Sequence, residues 1–293
     1  MKDYIINAVA ENGEIRAIAA ASKETVEKAR TLHDLSPVVT AALGRFITAA
    51  AMMSTDLKGK DDLITLQIRS LGPIQGMVAT SNPQGQVKGY AFNPHADLPP
   101  KAPGKLDVGG AVGEGYLSVI KDIGLREPYV GRVQLQTGEI ADDLTYYFAA
   151  SEQTPSSVGL GVLVDADGVK EAGGFIVQIM PGAREETIYR LEKRISEIPY
   201  VTKMQEEGKS PEEILETILG DFGLKILDKR PMEFYCNCSR ERVEKALISI
   251  GAEELDKIIA DGEGAQLHCH FCSKEYNFTH EDIVSLRAFA TGK

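Results

Sequence analysis

The chain has 293 residues with a formal net charge of −11 at pH 7, and 43% of its residues are hydrophobic. This length and apolar content allow one large domain or two to three ordinary ones with a sizeable core. An acidic chain without a basic run gains nothing from counterion release on DNA or RNA, and no apolar run approaches the roughly 18 residues of a membrane span. Neither nucleic acid nor a membrane is therefore an expected partner.

Residues 1–180 have the pattern of an α+β domain with an antiparallel-sheet core. Two β-prone runs flank Asn12-Gly13, which is a strong signal for a β-hairpin. Ser36-Pro37 predicts the start of a helix that extends to about Thr55, because serine caps helix N-termini and proline is favoured in the first turn. Its many small residues predict close packing. Further short strands separated by tight turns are predicted at residues 63–70, 74–80, 86–92, 117–121, 132–137, 158–164 and 174–180.

Two other features of this part of the chain resemble functional motifs, but we interpret both as structural. The glycine-rich stretch 109–115 lacks the Gly-Lys-Ser/Thr ending of a P-loop and the glycine order of a dinucleotide fingerprint, so we predict a turn. The paired carboxylates Asp142-Asp143, like Glu185-Glu186 further on, have no histidine or lysine at a telling distance. We therefore predict that both pairs lie on solvated faces.

The composition changes at about residue 181. Between residues 181 and 231, 20 of 51 residues are charged, 11 acidic and 9 basic. Ser210-Pro211-Glu212-Glu213 is a helix-capping box, and two segments have helical periodicity. This segment is interpreted either as an ordinary helical layer or as a charged helical linker that docks and releases. The apolar residues at helical spacing are Ile188, Leu191, Ile195, Ile198, Ile214, Leu215, Ile218 and Leu219.

Residues 232–293 form the predicted third part, a small C-terminal domain. Ser239 can cap a helix that extends to about Ile250, residues 253–260 have a second helical pattern, and Thr279 can cap a final helix beginning at His280. A domain of about 60 residues has a small core and is marginally stable alone. We expect a metal to stabilise it.

All four cysteines lie in this last part, as the pairs Cys236-Asn-Cys238 and Cys269-His-Phe-Cys272. Two short-spaced pairs suit the tetrahedral thiolate coordination of zinc. Residues i and i+2 of an extended segment lie about 6.6 Å apart with their side chains on one side, so both sulfurs of Cys-x-Cys can reach one ion. That separation is near the upper limit of about 6.8 Å for a disulfide. The spacing thus permits both a zinc site and disulfides.

Other interpretations of the cysteines remain open. A secreted disulfide framework would suit the Asn-x-Ser/Thr strings at Asn237 and Asn277, but the N-terminus has neither an apolar signal region nor a cleavage site. We therefore expect a reducing, cytoplasmic compartment, where such cysteines usually bind metal or do redox chemistry. His268 or His270 could replace one thiolate ligand. No Ser-His-Asp, zinc-protease or kinase pattern is present.

Two further function classes share these residues. A thiol-disulfide oxidoreductase would use Cys269-x-x-Cys272 catalytically, but such motifs lie at a helix N-terminus after a strand, and residues 273–278 have an extended pattern. A zinc-ribbon nucleic-acid-binding factor should have a basic face. Residues 232–293 instead contain 7 Lys/Arg and 11 Asp/Glu.

The cysteine spacing and the domain size together predict a switch. Oxidation of one thiolate to a sulfenic acid, followed by attack of the neighbouring thiolate, gives a disulfide and destroys the metal site. Because each pair contains its own resolving cysteine, an oxidant would expel zinc and unfold the C-terminal domain. If the charged linker depends on that domain for docking, apolar surface would then be exposed elsewhere.

The whole chain resembles the redox-regulated holdase chaperones, the heat-shock proteins named for a mass of about thirty-three kilodaltons. The most specific part of the resemblance is Cys236-x-Cys238 followed by Cys269-x-x-Cys272, which match the family's zinc-binding redox switch in order and separation. Four further stretches resemble the family's N-terminal core: HDLSPVVTAALGR (33–45), GGAVGEGYLSVIKDIGLREPYVG (109–131), GEIADDLTYYFAASEQTPS (138–156) and AGGFIVQIMPG (172–182).

This resemblance implies a chaperone and not an enzyme. It implies a reduced, zinc-bound, inactive form and an oxidised form with disulfides Cys236–Cys238 and Cys269–Cys272. The oxidised form, often a homodimer, would bind unfolding client proteins without ATP during oxidative stress. Residues 181–231 would correspond to the family's metastable linker. Client-binding residues are not marked by a motif; exposed apolar surface on the core and linker is the physical expectation, with contributions from Ile188, Leu191, Ile195, Ile214, Ile218 and Leu219.

Overall fold

The computed structural model describes residues 2–290, which divide into two compact units, one ending at Tyr235 and the next beginning at Cys236. The fold is α+β with antiparallel sheets, as predicted. The strands of the first unit are β1 (Tyr4–Ala10), β2 (Ile15–Ala21), β3 (Leu63–Ser70), β4 (Gly76–Ser81), β5 (Gln86–Ala91), β6 (Gly115–Asp122), β7 (Tyr129–Gln134), β8 (Ser156–Asp165), β9 (Gly168–Ile179), β10 (Lys225–Pro231) and β11 (Glu233–Phe234). Its helices are α1 (Lys23–His33), α2 (Pro37–Met53), α3 (Val108–Val112), α4 (Ala141–Ala150), α5 (Glu185–Glu197), α6 (Val201–Glu206) and α7 (Pro211–Leu219).

The first unit contains two sheets. The strand order is β10-β1-β2-β9-β8 in the first sheet and β11-β5-β4-β3-β6-β7 in the second. Neighbouring strands are antiparallel except for the short parallel pair β11–β5. The predicted hairpin is confirmed as β1–β2, with Asn12 (φ 56°) and Gly13 (φ 94°) in left-handed conformations that those two residue types tolerate.

Helix α2 lies between the two sheets and contacts β4 and β5 on one side and β8 and β9 on the other. Ser36 caps it as predicted, accepting a hydrogen bond from the Val39 amide at 3.4 Å. The predicted close packing is also confirmed: a Cβ on Gly44 would lie 2.6 Å from Val26 and 2.9 Å from Val162. The prediction that no apolar run approaches the length of a membrane span is wrong, because the helical stretch Pro37–Asp56 is long and apolar enough to cross a membrane. However, 94% of its apolar window is buried inside the protein, as in a core helix.

The charged segment 181–231 contains the helices α5 to α7 and then strand β10. The capping box is confirmed, with Ser210 and Glu213 each bonded to the other's backbone amide. The apolar residues of α7 are buried against β1 and β2 of the first sheet. Strand β10 pairs with β1, placing Tyr4 opposite Pro231. The division of the chain into residues 1–180, 181–231 and 232–293 stays a prediction.

Three predictions for the first unit are wrong in detail. Residues 108–112 form helix α3, capped by the Asp107 carboxylate, where we predicted a turn. Strand β7 begins three residues before the predicted range and ends at Gln134. Asp143 is fully buried and accepts hydrogen bonds from the backbone amides of residues 136, 137, 138 and 140. Its neighbours in sequence gave no sign that a carboxylate is needed there.

The second unit is small. It consists of helices α8 (Arg240–Ser249), α9 (Ala252–Asp261) and α10 (His280–Arg287) and the hairpin of β12 (Ala265–His268) and β13 (Glu275–Phe278). The caps predicted at Ser239 and Thr279 are confirmed. Its core of buried residues is short: Leu247, Leu255, Tyr276, Phe278, Ile283 and Ala290.

Candidate metal centre

The four cysteines lie on two loops of the second unit. Cys236 and Cys238 occupy the irregular segment immediately before α8, whose N-terminus Ser239 caps. Cys269 and Cys272 lie in the turn that joins β12 to β13. The Cys269 carbonyl accepts hydrogen bonds from the amides of Cys272 at 3.2 Å and Ser273 at 2.8 Å, so this turn is tightly folded. Each loop therefore presents two thiols from a locally fixed backbone.

The four sulfurs converge on one point. The Cys236 and Cys269 sulfurs are 3.7 Å apart, those of Cys238 and Cys272 are 3.4 Å apart, and all four lie within 4.8 Å of one another. Sulfurs about 2.3 Å from a central ion at tetrahedral angles would be about 3.8 Å apart. All four cysteines are free thiols, since a disulfide would require about 2.05 Å. Their arrangement fits a single tetrahedral metal ion.

The electrostatics of the cluster also suit a cation. Burial raises the pKa of the Cys236 thiol and that of the Cys272 thiol, so neither ionises readily alone. Burial also acts to raise the pKa of Cys238, but the Tyr276 hydroxyl, which donates to its sulfur at 3.1 Å, and the neighbouring thiols lower it to about 7. A divalent cation would offset the repulsion between several thiolates at these separations.

The two histidines near the site are not part of this convergent group. His268 lies at the end of β12 with its Nδ1 3.7 Å from the Glu275 carboxylate, and about half of its side chain is exposed. Among residues 2–290, the group of metal-ligating atoms within 4.8 Å of one another is made of the four cysteines alone. The cluster thus needs no histidine to reach four ligands.

A few polar contacts fix the scaffold around the cluster. Arg240, at the start of α8, donates to the Asn277 carbonyl at 2.9 Å and to the Asp282 carboxylate at 2.8 Å. Its guanidinium also lies over the Phe278 ring at 4.3 Å. Arg287 pairs with Asp256 and so ties α10 to α9. Sequence analysis did not identify Arg240 or Tyr276, because nothing in their local sequence indicates contacts about 40 residues away.

The apolar residues proposed to contact clients lie elsewhere, in the first unit. Leu191, Ile214, Ile218 and Leu219 are each at most 3% exposed and pack in a cluster with β1 and β2, and Ile195 packs against its edge. Exposing them would require α5 to α7 to leave the first sheet. Glu185 and Glu186 are exposed in the first turn of α5, as predicted.

Comparison with known proteins agrees with these observations. The family model described as "Hsp33 protein" matches residues 3–279. A relative from Agathobacter rectalis named 33 kDa chaperonin is 55% identical, covering 98% of this chain and all of that protein. A 33 kDa chaperonin from Lachnoclostridium phytofermentans is 56% identical over 98% of both chains. The crystal structure of a 33 kDa chaperonin from Thermotoga maritima superposes with a TM-score of 0.90 at 38% identity, over 99% of both chains.

Proposed function

Since the chain belongs to the Hsp33 family of chaperones, we propose that it is a redox-regulated, ATP-independent holdase that binds unfolding proteins under oxidative stress. The reduced, zinc-bound form is inactive. Oxidation of the four cysteines, with release of zinc, activates it. The observation that carries the proposal is the convergence of four free thiols within 4.8 Å in a unit with a small core.

Zinc is the metal that best suits this donor set, because four thiolates in tetrahedral arrangement are typical of structural zinc sites. Such sites contribute apparent free energies of about 10–16 kcal/mol in small peptides. A whole domain has a net stability of only about 5–15 kcal/mol. Cys236, Cys238, Cys269 and Cys272 would be the ligands, and the folding of the second unit would depend on them.

Oxidation removes these ligands by a balanced sequence of steps. A peroxide oxidises one thiolate to a sulfenic acid and releases hydroxide. A second thiolate then attacks that sulfur, forms the disulfide and expels another hydroxide. Each disulfide therefore consumes one peroxide and two thiolates.

We propose the disulfides Cys236–Cys238 and Cys269–Cys272. Two close sulfur contacts in the folded site join the two loops, Cys236 to Cys269 at 3.7 Å and Cys238 to Cys272 at 3.4 Å. Those contacts depend on the fold of the second unit, whereas residues two or three positions apart stay close when the unit unfolds. Peptide mapping of the oxidised protein by mass spectrometry distinguishes the two pairings, and cross-loop disulfides would contradict ours.

The segment 181–231 would be the linker that is released on activation. It is attached to the first sheet by the pairing of β10 with β1, by the buried residues of α7 and by ion pairs from Arg184 to Glu11 and Glu14, both at 2.7 Å. Arg184 is more than half exposed, so these ion pairs contribute little. Release of the segment 181–231 would expose Leu191, Ile214, Ile218 and Leu219 to clients. We place the protein in the cytoplasm and expect it to be a homodimer when oxidised.

The decisive experiment is light scattering of a thermally unfolding client protein. The chain is added either reduced and zinc-loaded or oxidised and zinc-free, with no ATP in either case. We expect only the oxidised form to suppress aggregation. Equal behaviour of the two forms would leave the metal as a structural element only and refute the redox control.

A parallel assay of insulin reduction tests the alternative of a thiol-disulfide oxidoreductase. An enzyme must turn over, whereas a holdase with structural cysteines need not. We expect no catalytic turnover. Salt-dependent binding to single-stranded RNA would likewise favour a zinc-ribbon nucleic-acid-binding factor.

A further inference from the structure

The two edge strands of the first sheet differ in how they are protected. Strand β10 contains Lys225, Asp228, Lys229 and Arg230 and ends in Pro231, and its register with β1 shifts between Asn7 and Ala8. Charges, proline and irregular register are the usual devices that prevent an edge from pairing with another chain. The opposite edge, β8, has no proline, and its one charge and its register shift with β9 lie at its C-terminal end, at Asp165 and between Leu163 and Val164. Residues 156–162 are the uncharged and regularly paired Ser-Ser-Val-Gly-Leu-Gly-Val.

The outward-facing backbone groups of β8 can be identified from one hydrogen bond. The Pro155 carbonyl accepts from the Ile179 amide at 2.9 Å, so this residue faces β9. Residues that hydrogen-bond to the partner strand alternate along an antiparallel pair. Ser157, Gly159 and Gly161 therefore also bond to β9. Val158, Leu160 and Val162 direct their N–H and C=O groups away from β9. Within residues 2–290, no hydrogen bond reaches those outward groups.

This edge does not lie on open surface. Residues 157–164 line a groove of about 910 Å³, and at 3.3 Å per residue they present roughly 26 Å of strand. The loop Lys101–Leu106 also lines the groove, as do Pro199 to Thr202 at the end of the α5–α6 connection and the start of α6. These four residues belong to the segment 181–231, so release of that segment on oxidation would open this side of the groove. Val162 is only 7% exposed, so part of the unpaired edge is shielded from bulk water. Buried backbone groups without a partner are uncommon in folded proteins.

We propose that the β8 edge is a docking site for one extended segment of a non-native polypeptide, which pairs with β8 and so adds a strand to the first sheet. This inference rests on the proposed holdase function and names how a client is held. Backbone hydrogen bonds would give affinity without sequence specificity, as in other cases of strand addition. A chaperone that binds many unrelated chains needs this kind of recognition.

The groove also indicates which segments would bind best. Lys101 and Lys105 are exposed on one wall, and neither makes a salt bridge within residues 2–290. Of the acidic groups on the lining, Glu139 is paired with Arg45 at 2.8 Å. Asp142 accepts from the neutral Thr137 hydroxyl at 3.0 Å and keeps its charge, which the two lysines outnumber. An apolar, β-prone segment with an acidic residue is therefore the expected ligand. The loop Lys101–Leu106 lies outside the released segment and remains beside the edge, which favours a single strand over the edge of a folded sheet.

A labelled peptide tests the proposal on the full-length oxidised chain. The probe is a fluorescein-labelled decapeptide of alternating valine and threonine with a glutamate at each end, and its binding is followed by fluorescence anisotropy. Val158→Pro removes one outward N–H from β8 without removing an amide that pairs with β9, and proline is tolerated at such edge positions. Val158→Ala, which keeps the N–H, is the matched control.

We expect Val158→Pro to weaken peptide binding by about fivefold to tenfold, because one hydrogen bond is lost and one peptide carbonyl is left unpaired. Val158→Ala should remain within about twofold. In the wild-type chain, hydrogen exchange should show that residues 158–162 become protected when the peptide binds. This second measurement does not depend on the folding of any variant.

Each remaining outcome has a definite meaning. Equal affinity of the two variants, with no new protection at residues 158–162, would overturn strand docking. If the oxidised wild type still suppressed client aggregation, the holdase function would stand without it. If Val158→Pro instead changed only the sedimentation behaviour of the chain, the edge would pair with a second copy, and the proposal would be wrong.

Discussion

The two compact units are stabilised in different ways. The first unit surrounds the buried helix α2 with two sheets, and its core includes large side chains such as Phe46 and Tyr147 that are fully buried. The second unit has a core of six buried residues and four cysteines whose sulfurs converge. Oxidants do not affect the burial of apolar surface, but they react with thiolate ligands. The folding of one part of a chain can therefore depend on reduced cysteines and a bound metal while the rest of the chain stays folded without them.

Removing one metal ligand should have the largest effect. Cys269→Ser would leave three thiolates, and we expect loss of the metal and unfolding of the second unit, because a site of this kind contributes about 10–16 kcal/mol in small peptides. Hydrogen exchange should show loss of protection in α8 to α10 and unchanged protection in β1 to β9. The control is Ser249→Ala, an exposed residue on α8. Retained protection in α8 to α10 would mean that the small core is enough to keep the second unit folded without the metal.

The reverse experiment destabilises the first unit by removing buried apolar volume. Phe46 is fully buried in α2, and Phe46→Ala should lower the free energy of unfolding by about 3–5 kcal/mol, the range for large-to-small changes in well-packed cores. Urea denaturation monitors the first unit, and a colorimetric assay monitors bound metal. Metal content should not change.

The matched control for this experiment is Phe289→Ala in the second unit. Phe289 is 72% exposed, so its replacement should change stability by less than about 0.5 kcal/mol. If Phe46→Ala released the metal as well, the two units would not be independently stabilised, and the comparison would fail.

A third change addresses the segment 181–231, which packs on the first sheet through buried apolar residues but is proposed to be released on oxidation, when the second unit unfolds. Ile218 in α7 is fully buried against the first sheet, and Ile218→Ala should weaken docking of this segment by about 2–5 kcal/mol. We expect faster hydrogen exchange in α5 to α7 and suppression of client aggregation at lower oxidant concentrations. Ile226→Ala, in the same segment but 42% exposed, is the control. If both variants required the same oxidant concentration, docking of this segment would not control activation.

The sequence predicted the features that depend on neighbouring residues. Asn12-Gly13 specifies the β1–β2 hairpin, Ser36-Pro37 the start of α2, and Ser210 to Glu213 the start of α7, since each signal acts over a few positions. The cysteine spacing predicted a cluster because each pair is local. The distances between the sulfurs required the structure.

The features that the sequence did not reveal depend on distant partners. Strand β10 reads Lys-Ile-Leu-Asp-Lys-Arg-Pro, with no clear alternation, and it becomes a strand by pairing with β1 more than 200 residues away. Helix α1 was not predicted because its buried residues are the small Thr25, Val26 and Ala29. Asp143 could not be recognised as buried, since the four amides that it accepts from converge only in the folded loop.

The smallest predicted effect is a pH-dependent contact in the first unit that involves no thiol. The Glu27 carboxylate accepts hydrogen bonds from the Arg30 guanidinium at 2.9 and 2.6 Å and from the Val169 amide at 2.9 Å, and so it ties α1 to β9. The bonds from Arg30 outweigh the opposing effect of burial and, with the amide, lower the pKa of Glu27 from its ordinary 4.5 to about 2. A carboxyl group that is more acidic in the folded state stabilises the fold above its ordinary pKa.

This stabilisation should therefore be complete above pH 4.5 and be lost as the pH falls towards 2. Because about a third of the side chain is exposed, solvent screening should limit it to less than about 1 kcal/mol. Thermal unfolding of the first unit between pH 7 and pH 2.5 should show a smaller loss of Tm for Glu27→Gln than for the wild type. Glu186→Gln, in an exposed position on α5, should follow the wild-type curve. Parallel curves for wild type and Glu27→Gln would show that the Glu27 carboxylate does not contribute to the acid stability of the first unit.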